Sequence, residues 1–130
     1  MKILILLIAI SSMSCTEVPD WVVRGVLLVE SSSYFSSNGT LIYVDKRVGR
    51  SGERGPFQMT EIAFDTVKRP GEHFVNLQVD MALSEKTACR YLSLLYKRSN
   101  DWFLAIQMYN RGPGKKSATY LHKFKKATGR

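Results

Sequence analysis

The sequence predicts a single domain of the α+β class, mostly α, with one small β element. Three observations carry that prediction. The chain has 130 residues, 45% of them hydrophobic, which fills one packed core and not two. Apolar residues recur at helical spacing beyond residue 20, and clusters of Gly, Pro, Ser and Asn cut the pattern into short segments. One stretch, Thr40-Leu41-Ile42-Tyr43-Val44 following the turn signal Asn38-Gly39, reads as a strand.

Met1-Lys2 and the apolar run Ile3 to Ile10 have the pattern of a signal peptide. The run is too short to span a bilayer. Ser12 and Ser14 put small side chains where a signal peptidase cuts, so residues 1–14 are expected to be removed and 15–130 to form the mature domain. Cleavage there makes Cys15 the first residue, and a lipid anchor on Cys15 is the alternative; Ser12 stands where lipidation signals carry an aliphatic residue. An N-terminal core helix is the competing reading of the same run, disfavoured by its all-round hydrophobicity beside a Ser-rich exit.

Trp21 to Glu30 reads as a buried helix capped by Asp20, with a strand as the competitor because valine is abundant. Ser31 to Gly39 is turn-like, and Lys46 to Gly55 is a basic, Gly-rich loop. Phe57 to Val67 predicts a short helix stopped by Arg69-Pro70-Gly71. Leu77, Met81, Ala88, Leu92 and Leu95 lie near one stripe, so residues 76–98 form one long helix or two short ones. Asp101 can cap a core helix over Trp102 to Tyr109, which Gly112-Pro113-Gly114 stops. Lys115 to Arg130, basic around Tyr120, Leu121 and Phe124, predicts a surface helix with a frayed end.

The formal charge of +8 implies attraction to a polyanion: nucleic acid, anionic lipid or the acidic cell-wall polymer. Cys15 and Cys89 alone make neither a disulfide framework nor a zinc site, and Cys89 reads as a core thiol. His73 and His122 stand isolated among polar neighbours and receive no role. With no phosphate-cradling Gly loop and no paired-His motif, no metal or organic cofactor is expected. A nucleic-acid module would use the basic end with Tyr120 and Phe124 to stack, but it leaves the export run and Glu30 without purpose. No nucleic-acid partner is therefore expected.

Three motifs in order carry a resemblance. Val29-Glu30-Ser31-Ser32 ends an apolar helix, Gly55-Pro56-Phe57-Gln58-Met59 opens the next segment, and Ala105 to Gly114 reads Ala-Ile-Gln-Met-Tyr-Asn-Arg-Gly-Pro-Gly. Together they resemble the soluble lytic transglycosylases, whose signature has Ala-x-x-x-Tyr-Asn-x-Gly-Pro-Gly, over roughly Trp21 to Lys126. The stretch between Glu30 and Gln58 is longer than is usual in that family, as is the helix before Tyr91-Leu92. The family's Gly-Leu-Met-Gln appears here as Gly55-Pro56-Phe57-Gln58.

The resemblance implies a lysozyme-like domain that cleaves the peptidoglycan glycan strand with one glutamate. Glycosidic cleavage needs a proton delivered to the leaving oxygen, a task for a carboxylic acid shielded by apolar neighbours such as those before Glu30. Most glycosidases use a second carboxylate. None sits in these motifs, and the family is a single-glutamate class. Glu30 is thus the expected catalytic residue, with Ser31, Gln58, Tyr109 and Asn110 binding substrate. The product would be an internal anhydro sugar. A water-using muramidase on the same fold, or a wall-binding protein without activity, are the alternatives. The resemblance implies an exported enzyme of the periplasm or cell envelope, with a virion or envelope-spanning complex as the partner it suggests, and a monomer is expected.

Overall fold

The computed structural model describes residues 15–31 and 48–130, with the short stretches 34–35, 37 and 41–42 between them. The export run 1–14, the turn at Asn38-Gly39 and the ends of the expected strand at Thr40, Tyr43 and Val44 lie outside the described residues. Helix α1 spans Asp20–Glu30. Tyr34–Phe35 (β1) and Leu41–Ile42 (β2) pair antiparallel, Tyr34 opposite Ile42. Then follow α2 (Glu61–Val67), a 3₁₀ turn (Phe74–Gln78), α3 (Met81–Ser99), α4 (Trp102–Arg111) and α5 (Ala118–Thr128). The architecture is mostly helical.

The valines of α1 do not make it a strand, because Val22, Val23, Val26 and Leu27 fall on one helical stripe and are all buried. Burial outweighs a helix propensity that differs among residues by tenths of a kcal/mol, about 0.7 at most for ordinary residues. Asp20 is not the cap. Pro19 holds that position, and Asp20 sits in the first turn, 3.7 Å from Arg24 one turn on. The second helix is also shorter than expected. Thr60 caps it by accepting from Ala63 N at 3.2 Å, while Gly55 to Met59 form turns and a bridge to Arg54.

The stripe over 76–98 is broken. Asp80 accepts from Leu83 N at 3.0 Å and starts α3 afresh after the 3₁₀ turn. Leu83, Ala88, Leu92 and Leu95 then face the core, and Asn100 closes the helix in the left-handed conformation. Asp101 caps α4 as expected, accepting from Phe103 N and Leu104 N. Helix α3 packs on α4, and α1 on α5. At the α1/α5 crossing Gly25 lies under the Phe124 ring, where a Cβ would come within 2.2 Å of Phe124 Cε2.

Two further expectations, the Cys89 core thiol and the frayed end, are overturned here. Cys15 and Cys89 are joined in a disulfide across 74 residues, so Cys89 is no free core thiol. The same bond occupies the Cys15 sulfur that a lipid thioether would need. Tyr120 and Phe124 are buried, so neither ring is offered to stack on a base, and α5 ends in a Gly129 cap and not in a fray. No described helix is long and apolar enough to cross a membrane.

Candidate functional site

Glu30 is the last residue of α1, half-buried, with the buried turns of that helix behind it. It borders a cavity of about 420 Å³ lined also by Val29, Val48, Gly49, Arg50, Glu53 and Gln58. The facing wall is built by the loop from Val48 to Met59. Val48 pairs with Arg54 and Arg54 with Met59, while Arg54 reaches Gln78 through a side-chain hydrogen bond and lies over the Phe74 ring. A second cavity, of about 320 Å³, lies beside the disulfide among Thr16, Glu17, Arg69, Arg90, Ser93 and Lys97. None of the three motifs reaches it, and Arg90 there is already paired with Glu72 at 2.6 Å.

Gly55 is required where it stands. Its φ is +80°, and a Cβ would meet the Leu77 carbonyl oxygen at 2.3 Å. Ser84 donates to that same carbonyl at 2.6 Å, locking the start of α3 under the turn. Gln58 then adopts φ 46°, a left-handed conformation that costs a non-glycine residue about 1 kcal/mol or more. The turn is held by Gln58 N and Nε2, both donating to Gly55 O at 2.9 Å. With Nε2 so used, Gln58 Oε1 faces Gly49 and the cavity.

Tyr109 reaches across from α4. Its hydroxyl donates to Phe57 O at 2.7 Å, and its ring packs on Tyr91 with centroids 5.7 Å apart. Burial, then the nearby charge of Glu30, push the Tyr109 phenol well above its ordinary range. The structure thus gives Tyr109 the task of pinning the Gly55 to Gln58 turn. Ser31 is buried, its hydroxyl donating back to Leu27 O at 2.9 Å. Asn110 is exposed at the end of α4, and neither it nor Ser31 lines the cavity. Of the five residues singled out from sequence, Glu30 and Gln58 share the cavity, Tyr109 holds the Gln58 turn, and Ser31 and Asn110 stand at helix ends, outside the lining.

Two residues were missed. Tyr120, one turn before Phe124 on α5, donates its hydroxyl to Glu30 Oε2 at 2.8 Å. Burial first, then the charge of Glu30 and that hydrogen bond, raise its phenol well above the usual value, so it stays a hydrogen-bond donor at neutral pH. In sequence Tyr120 looked like one more apolar position of a basic helix; only the α1/α5 packing brings it to a residue 90 positions away. The other is Glu53, a second carboxylate on the cavity wall. It lies in the stretch where the chain is longer than the family pattern, outside all three motifs.

Chemically, the arrangement is a carboxyl group at the foot of a polar cleft, oriented by one phenol and backed by apolar helix. Such a group can exchange a proton with a bound molecule's oxygen. The family described as Transglycosylase SLT domain matches residues 13–129 of the chain. No curated protein and no solved structure matches it.

Proposed function

The chain belongs to the transglycosylase SLT domain family, and from that premise we propose that it is a peptidoglycan lytic transglycosylase cleaving the MurNAc-GlcNAc bond, with Glu30 as acid and base. One observation supports the assignment of Glu30: the glutamate of the first motif lines the cavity, its Oε2 held by Tyr120 at 2.8 Å. A carboxyl so held has a fixed edge for the proton and cannot swing away from the strand. Glu30 protonates the bridging oxygen as the C1–O bond breaks. As carboxylate it then takes the proton of the same sugar's C6 hydroxyl, whose oxygen closes the 1,6-anhydro ring. No water is consumed.

Gln58 Oε1 accepts from the substrate, and Tyr109 keeps the Gln58 turn in place. Ser31 and Asn110 act at the rim, as substrate-binding residues beside the cleft. Removal of residues 1–14 delivers the 15–130 domain, as a monomer, to the periplasm, where the wall polymer is reached. Exposed Lys123, Lys125 and Lys126 on α5 draw it to that acidic polymer over about a Debye length, roughly 10 Å at moderate salt. The biological task is local opening of the wall, for a phage or for an envelope-spanning machine. Mass spectrometry of soluble products from purified peptidoglycan tests the reading. Anhydro-muropeptides support it, and complete absence of anhydro ends refutes it.

A further inference from the structure

Two carboxylates line the Glu30 cavity, and the motifs account for one. The other, Glu53, is carried on a braced backbone: Gly49 N donates to its carbonyl at 2.7 Å, and the next residue, Arg54, pairs with both Val48 and Met59. Its Oε1 is buried with no hydrogen-bond donor among the described residues. Its Oε2 and Gln58 Oε1 lie on one face of Gly49, where a Cβ would come within 2.4 Å of the first and 2.5 Å of the second. Glycine at 49 therefore leaves room for both oxygens beside the same point of the cavity wall. With Oε1 closed to solvent, an O–H donor that enters the cavity meets the half-buried Glu53 carboxylate at Oε2. The tyrosines nearest Glu30 cannot serve as bases, since burial and the Glu30 charge keep both phenols protonated. Among the described residues that line this cavity, Glu53 is the one carboxylate besides Glu30.

We propose that Glu53 is a second catalytic residue, a general base for water, so that this chain releases hydrated reducing ends beside its anhydro ends. The inference rests on the reading of Glu30 as the acid of a glycan-cleaving site. In the hydrolytic branch Glu30 gives its proton to the bridging oxygen as the C1–O bond breaks. The water oxygen forms the new bond to C1, and the water's proton passes to Glu53. Solvent then returns that proton to Glu30, and one water is consumed per bond cut. In the anhydro branch the sugar's C6 hydroxyl replaces the water, and Glu53 is idle.

The test is a digest of purified peptidoglycan by the mature protein, reduced with borohydride and analysed by mass spectrometry. Hydrated ends are reducible and anhydro ends are not, so each digest yields their ratio. Wild type is expected to give both. Glu53→Gln should lower the reducible fraction about tenfold or more while anhydro ends still form, and Glu53→Asp, which keeps the charge, should fall between. Because the readout is a ratio within one sample, a loss of folded protein cancels. Anhydro ends alone from wild type, or an unchanged ratio in Glu53→Gln, overturn the role of Glu53 and leave the transglycosylase reading intact. No cleavage by wild type overturns that reading, and this one with it.

Discussion

Replacing Tyr120 by Phe removes one oxygen and nothing else from the α1/α5 contact. The ring is almost wholly buried, so Phe keeps its packing, and the change is confined to the 2.8 Å hydrogen bond to Glu30 Oε2. A hydrogen bond to a charged group contributes about 1.5–3 kcal/mol net, and each 1.4 kcal/mol is about tenfold in an equilibrium or rate. If the bond aims Glu30 at the bridging oxygen, the loss appears in kcat as a fall of about ten- to a hundredfold, with KM little changed. Initial rates of muropeptide release, beside a circular dichroism melt, separate this from unfolding. A Tyr120→Phe enzyme that folds and turns over at the wild-type rate would show that the phenol is only a core ring with a convenient partner.

Gly25→Ala forces a Cβ to within 2.2 Å of Phe124, an overpacking that costs about 1–3 kcal/mol. Because Tyr120 rides one turn away on the same helix, the melting temperature and the activity are expected to fall together. Cys15→Ser and Cys89→Ser each open a crosslink spanning 74 residues, and removing a disulfide from a small domain costs about 2–5 kcal/mol. Both variants should melt at the same lower temperature, and the intact wild type should gain 2 Da, about two hydrogens, on reduction. Arg90 beside Glu72 holds that carboxyl below its usual range, so their pairing stabilises the fold fully at neutral pH. The contribution is lost as pH falls below the ordinary carboxylate range and through the lowered Glu72 value. Glu72→Gln should flatten the acid side of a plot of melting temperature against pH, and an unchanged slope would remove the pair from the account.

Several elements are legible in the sequence alone. Asp101 before Trp102-Phe103-Leu104 predicts the α4 start because a cap and its helix are local, and the Gly55 to Gln58 motif contains a residue that lines the same cavity as Glu30. What was not legible depended on partners distant in sequence. The Cys15–Cys89 bond joins residues whose number alone argued against a framework, and only the packing of residue 15 on α3 makes the pairing. Tyr120 meets Glu30 because Gly25 lets α5 lie close to α1, a fact no periodicity contains. The second helix was drawn too long since Phe57 and Phe64 are both apolar; Phe57 is buried by its turn and by Tyr109, not by a helix.

The central claim is that Glu30 does the chemistry, and Glu30→Gln tests it most directly. The amide keeps the shape and still accepts from Tyr120, while it can neither give nor take the catalytic proton. The account predicts a variant with the wild-type melting temperature and wall binding that releases no soluble muropeptides from purified peptidoglycan. Release at the wild-type rate by Glu30→Gln would contradict it.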